Sequence, residues 1–153
     1  MRQRGIESPG ISRAAKLLGV QVLYIEMGTP ESPGAFFESA REAGAEAALI
    51  PDVASFDPHL GRIAAEATKS RMPSIGPEAD FAKAEGLMSY SPKTQHWPRV
   101  AAQIDSIFKG AKPGDLPVEQ PTRFEFVINL RTAKTLGLTI PQALLLRADQ
   151  VIQ

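Results

Sequence analysis

The sequence predicts an α/β fold built on a doubly wound parallel sheet, and three observations carry that prediction. Runs with helical spacing of apolar residues alternate with short runs of β-forming residues from residue 11 to residue 108. Gly or Pro punctuates most of the junctions between them. The chain has 153 residues, enough for one domain with a real core. Strict strand–helix alternation implies right-handed crossovers and a sheet covered on both faces. Ligands of such sheets bind at the carboxyl ends of the strands.

The elements follow in order. Ile11, Ala14, Ala15 and Leu18 fall at i, i+3, i+4 and i+7, an amphipathic helix ended by Gly19. Residues 20–26 (VQVLYIE) are rich in β-formers and read as a strand. Residues 28–34 (GTPESPG) are a turn cluster. A second helix carries Phe36, Phe37, Ala40 and Ala43 and stops at Gly44. Residues 46–50 (EAALI) suit helix or strand by composition; their length and position between two helices favour a buried parallel strand. Asp57 and Pro58 suit the N-cap and first position of a third helix, with Leu60, Ile63, Ala64 and Ala67 on one face. Pro73 marks its end.

Residues 73–76 (PSIG) make a minimal strand, residues 78–84 a short helix with Phe81 inward, and residues 87–91 (LMSYS) the next strand. A longer helix runs through Trp97, Val100, Ala101, Ile104 and Phe108 to Gly110, with Pro98 tolerated in its first turn. Residues 111–121 are a Pro/Gly-rich linker. Then Phe124, Phe126 and Ile128 alternate with Glu125 and Val127, the period of a strand. Asn129 stands at an N-cap position, with Gly137 as the stop of the helix that follows. Pro141 opens a last helix with Leu144, Leu145, Ala148 and Ile152 inward.

One element is missing. A lobe of this class opens with a strand, usually an interior one, and this chain opens with a helix. Residues 1–7 (MRQRGIE) are too charged and too interrupted by Gly for a buried strand. The expected consequence is a gap or an unpaired edge in the sheet.

Composition narrows the function. Lys+Arg and Asp+Glu both number 17, with no long run of one sign, which argues against a nucleic-acid binder. There are no cysteines, which removes disulfides, Cys-based zinc sites and thiol catalysis. The N-terminal residues lack the apolar stretch of a signal peptide, and no apolar run is long enough to span a membrane, so the chain as given is expected in the cytoplasm. No second His or carboxylate stands at metal-ligand spacing from His59 or His96 in the sequence, so a metal site is not expected. No G-x-G-x-x-G or G-x-x-x-x-G-K-[ST] occurs, and no cofactor is implied. Asp52 and Asp57 could form an acid/base pair, but nothing nearby supplies a nucleophile or an oxyanion donor, which argues against an enzyme.

Several motifs in fixed order carry a resemblance: GLMSY at residues 86–90, FKGAKPGDLPVEQP at 108–121, residues 124–129, and TAKTLGLTIP at 132–141. Together they resemble the C-terminal half of the bacterial family of ABC-transporter substrate-binding proteins whose relatives take up tryptophan or tyrosine. The resemblance spans about residues 14–153. It implies a two-lobed periplasmic binding protein of type I, with a small molecule such as an amino acid held in the cleft. Lobes of such proteins close by a hinge motion and deliver ligand to a membrane permease. The intact family is periplasmic or anchored as a lipoprotein. This chain matches only the second lobe and the return segments. It is therefore expected to be a fragment, with 8–91 as the second lobe lacking its first strand, 92–121 as helix and linker, and 122–153 as crossing strand and closing helices. Residues 87–91 and 116–124 look like two hinge crossings.

The resemblance also places candidate ligand-binding residues. Asp52 follows a strand where relatives carry an Asp; it accepts a ligand ammonium or amide, or makes a local Asx-turn. Val53-Ala54-Ser55-Phe56 departs from the Pro-and-aromatic run usual there, which leaves the ligand open, and Ser55 and Phe56 join the candidates. Gly76 ends the next strand, and Glu78 either faces the cleft or is a carboxylate suited to a helix N-terminus. Tyr90 offers a flat wall and a hydroxyl, or packs in the hinge; Ser91 replaces a Gly common in relatives. Trp97 reads as core rather than a stacking platform. The rival readings are a non-functional remnant, an α/β domain that dimerises through its exposed lobe-facing surface, and a small α/β enzyme.

Overall fold

The computed structural model describes residues 8–28, 32–93, 96–117 and 120–153, with the side chains of His96 and Trp97 outside the described set. The architecture is mixed α/β. Five strands form one sheet in the order β1 (Ala48–Leu49), β2 (Ser74–Gly76), β3 (Met88–Pro92), β4 (Phe124–Asn129) and β5 (Gln150–Ile152). The β1–β2, β2–β3 and β4–β5 pairs are parallel. The β3–β4 pair is antiparallel, in register from Met88↔Ile128 to Pro92↔Phe124. Sequence alternation gave no sign of that reversal, which arises because the chain leaves the sheet through a long helix and linker before it returns.

The core lies between β1–β2 and three helices, α2 (Gly34–Glu42), α3 (Leu60–Lys69) and α4 (Ala79–Lys83). On α3, Leu60, Ile63, Ala64 and Ala67 are all buried, as their i, i+3, i+4, i+7 spacing requires. Phe37 and Ala40 of α2 join them. Phe81 of the five-residue α4 is fully buried, and burial of a side chain that size contributes about 1.5–3 kcal/mol. Its ring lies directly against the backbone of Gly76 and Gly86, where a Cβ at either position would overlap it.

The return segment is fastened to this unit by a polar clamp. The Asn129 side chain accepts from Thr132 N (3.1 Å), capping α6 (Leu130–Leu136), and donates to Ala82 O (2.8 Å). The Glu85 carbonyl accepts from Thr132 Oγ1 (3.0 Å) and Thr68 Oγ1 (2.7 Å). Glu85 adopts φ 75°, a left-handed conformation costing a non-glycine residue roughly 1–2 kcal/mol. Two hydrogen bonds at about 0.5–1.5 kcal/mol each offset that cost.

Several elements differ from expectation. Residues 20–26 form no strand. A strand exists through its ladder, and residues 21–27 make no backbone hydrogen bond with a described residue. The first helix, α1 (Pro9–Leu18), ends at a left-handed Gly19 as expected, but only Ala15 of its predicted face is buried, and Leu18 is 74% exposed. Asp57 is not an N-cap: a 3₁₀ turn, Asp57–His59, precedes α3, and no side chain caps it. Pro58 in that turn suits the tighter winding. The last helix stops early. α7 covers only Gln142–Leu145, and Ile152 lies in β5 beside Asn129. Asp149 causes the switch: its amide donates to Phe126 O (2.8 Å) and its Oδ2 accepts from Phe126 N (2.8 Å), drawing the chain onto the open edge of β4.

The long helix α5 (His96–Phe108) forms as predicted and ends before Gly110, at φ 100°. Its Val100, Ile104, Ile107 and Phe108 side chains are exposed. Between α5 and β4 a 3₁₀ turn, Pro113–Asp115, interrupts the linker. No helix among the described residues is long and apolar enough to cross a membrane.

Candidate functional site

The topology gathers five chain segments at one edge of the sheet. β1, β2 and β3 run parallel, so their carboxyl ends share an edge. Antiparallel β4 begins there, at Phe124, and β5 begins there too. The loop after β1, the Gly76–Glu78 turn, the end of β3 and the start of β4 therefore meet on one side of the molecule.

Tyr90 is the most developed feature of that edge. It pairs with Phe126 across the β3–β4 ladder, and Phe124 lies two residues along on the same face. The Tyr90 and Phe124 rings stack, with centroids 5.2 Å apart and planes within 2°. Phe126 meets Tyr90 edge-on, at 6.1 Å and 73°. Tyr90 remains 53% exposed and Phe124 44%. Beside them the Lys93 amide donates to Arg123 O (2.9 Å), and the Lys93 ammonium pairs with Glu125 at 3.3 Å. The face is apolar and aromatic, with a polar rim.

The other predicted residues divide into two groups. Asp52, Ser55 and Glu78 are exposed at this edge. Glu78 precedes α4 in an extended conformation, and its side chain caps nothing. Phe56 and Gly76 turn inward. Phe56 is half-buried against the core, its amide closing a turn onto Val53 O at 2.7 Å. Gly76 is buried, and its lack of a side chain makes room for Phe81. These two shape the edge from behind. Sequence reasoning did not assign Phe124 and Phe126 to the site; the register of β4 against Tyr90 is the signal that finds them.

The arrangement can hold a small molecule by ring stacking on one side and carboxylate or hydroxyl hydrogen bonds on the other. Among the described residues, no group of three His, Cys, Asp or Glu side chains is placed to hold a metal ion. A depression of about 240 Å³ lies elsewhere, lined by Gly34, Phe37, Glu38, Arg41, Glu66 and Ser70, and includes none of the predicted residues. Asp80 holds the Lys83 ammonium, 2.8 Å away, above its usual pKa, by its hydrogen bond first and its charge second; that pair is exposed on α4.

Comparisons with known proteins bear on the family and the fold. The family described as ABC transporter substrate binding protein matches residues 41–152. A crystal structure of a conserved domain protein from Vibrio cholerae superposes with a TM-score of 0.79 at 19% identity, over 92% of this chain and 48% of that one. The ABC domain from Streptococcus pneumonia in complex with L-Trp gives 0.77 at 26% identity, over 94% of this chain and 50% of that one. A ligand-free, open substrate binding protein with adhesive properties from Clostridium difficile gives 0.63 at 16% identity, over 94% and 48%. The chain thus spans about half the length of these structures. No curated protein matches it.

Proposed function

This chain belongs to the ABC transporter substrate binding protein family, and from that premise we propose that it is one lobe of a solute-binding component that holds a small molecule such as an amino acid. The family binds substrate without chemistry. The reading assigns residues 8–91 to the second lobe, 92–121 to a helix and linker that leave it, and 122–153 to the return segment. Its ligand rests on the carboxyl edge, in a cleft whose other wall is a second lobe. A membrane permease of the ABC type receives the ligand, and the site of action is outside the cytoplasmic membrane.

The observation that supports this most is the exposed aromatic face of Tyr90 and Phe124 at the edge where such sheets bind ligands. In this reading Tyr90 is the wall, Asp52 accepts a ligand ammonium, and Ser55 and Glu78 supply further polar contacts. Phe56 and Gly76 fix the loops that carry them. The complex of the Streptococcus pneumonia domain with L-Trp supports an aromatic amino acid as first choice.

One lobe gives half a pocket, so affinity is weak. Calorimetric titration of the 153-residue chain with L-Trp, L-Tyr and branched amino acids is expected to give a Kd of about 1 mM or weaker. Tight saturable binding would contradict the one-lobe reading.

A second reading rests on α5. Its exposed Val100, Ile104, Ile107 and Phe108 favour a homodimer that covers them. Sedimentation velocity across a range of concentrations decides it: self-association abolished by Ile104→Glu supports the dimer, and a compact monomer throughout rejects it.

A further inference from the structure

The depression on the helical face carries charged groups that the carboxyl edge does not use. It encloses about 240 Å³ between α2 and α3. Gly34, Phe37, Glu38 and Arg41 stand at i, i+3, i+4 and i+7, so one side of α2 makes one wall. Glu66 and Ser70, one turn apart at the end of α3, make the other. Phe37 is fully buried in the core cluster and closes the depression from behind. α2 leads into β1 and α3 into β2, so Arg41 and Ser70 lie toward the edge where those strands begin. Asp52 and Glu78 follow the other ends of the same strands.

The groups of the two walls differ in how they are engaged. Glu66 has a partner: its two oxygens accept from Lys69 Nζ at 3.1 and 3.2 Å. Glu66 Oε1 also lies over the first turn of α2, 3.4 Å from where a Cβ on Gly34 would stand. No side chain caps that turn, so the Glu66 carboxylate is the anion that meets the positive end of the helix. Glu38 and Arg41 are exposed and three residues apart, within reach of each other. Yet neither makes an ion pair or a side-chain hydrogen bond with any described residue. The Ser70 hydroxyl likewise has no partner among the described residues. One free surface charge is simply solvated. A free carboxylate, a free guanidinium and a free hydroxyl around one concavity are a set of both signs.

We infer that this depression binds a small zwitterion, a molecule with an ammonium and a carboxylate on one short chain. Glu38 and Glu66 accept from the ammonium from the two walls; a carboxylate keeps lone pairs free after its first donor. Arg41 presents a planar fork of donors to the carboxylate, a two-point pairing that an ammonium side chain cannot make. Ser70 donates or accepts as the guest requires. A bare anion meets two carboxylates here and a bare cation meets Arg41, so each fits worse than a molecule with both groups. The volume lies below the roughly 300–1,000 Å³ of sites for drug-sized ligands, which restricts the guest to a small one. The inference is independent of any solute at the carboxyl edge.

An NMR titration of the nitrogen-labelled 153-residue protein with 4-aminobutanoate tests it, because that probe has both groups and no ring. Saturable shifts of amides in residues 34–41 and 66–70 are expected, with a Kd of about 1–10 mM. Butylamine and butanoate, each lacking one group, are expected to bind about threefold more weakly or worse, the loss of one exposed ion pair. Arg41→Gln is expected to weaken 4-aminobutanoate by a similar factor. Gly34→Leu keeps every charge but sets a side chain against Glu66, and is expected to remove the binding while the rest of the spectrum shows the fold retained. The inference is overturned if 4-aminobutanoate gives no saturable shift at these residues at about 100 mM. It is equally overturned if butylamine or butanoate binds as well as 4-aminobutanoate, or if either variant binds like the parent. These residues are remote in the fold from Tyr90, so failure here and failure of the carboxyl-edge reading are told apart.

Discussion

The ring of Tyr90 lies parallel to the ring of Phe124, 5.2 Å away, although the two residues are separated by a long helix and a linker. Their contact follows from one register, in which Tyr90 opposes Phe126 and Pro92 opposes Phe124. The antiparallel return of β4 thus builds half of the candidate binding face. It also ties this candidate edge to the segment expected to act as a hinge.

That stacking should be measurable. A double-mutant cycle of Tyr90→Ala and Phe124→Ala, read by urea unfolding, is expected to give a coupling of about 0.5–1.5 kcal/mol. A coupling near zero would mean that the rings are independent in solution.

Gly76 has a packing role as well as a place at the edge. Gly76→Ala drives a methyl into the Phe81 ring and is expected to cost about 1–3 kcal/mol, typical of overpacking. Gly114 faces open space, so Gly114→Ala should stay within about 0.5 kcal/mol. Chemical denaturation of both variants checks the contrast.

The clamp at Asn129 predicts a graded series. Asn129→Ala loses the cap of α6 and the bond to Ala82 O, at a cost of about 1–3 kcal/mol. Asn129→Asp keeps the acceptor but sets a carboxylate against the Ala82 carbonyl, so it should also destabilise. Unfolding midpoints at neutral pH test this; an Asp variant as stable as the parent would show that the bond to Ala82 contributes nothing.

The sequence made the local elements legible where local chemistry decides them. The helical spacing in α3, the inward Phe81, the Asn129 cap and the Gly19 and Gly137 stops are each written in a few neighbouring residues. What it hid depends on partners distant in the chain. Residues 20–26 have the composition of a strand but no ladder to join. Ile152 has helical spacing to Leu145 and Ala148, yet β4 offers hydrogen bonds that Asp149 directs it to take. Phe124 and Phe126 were visible as strand residues, but only the register shows them beside Tyr90. The candidate site was legible as a set of strand ends, because the carboxyl edge follows from alternation. The inward turn of Phe56 and Gly76 was not, because it depends on packing against α3 and Phe81.

The central claim is that the carboxyl edge binds a small amino-acid-like solute, and an NMR titration of nitrogen-labelled protein with L-Trp tests it most directly. The account predicts saturable shifts of the Asp52–Phe56, Gly76–Glu78 and Tyr90 amides, lost in Tyr90→Ala while the fold is retained. Saturable shifts confined to other residues, or none at ligand concentrations of about 10 mM, would contradict it.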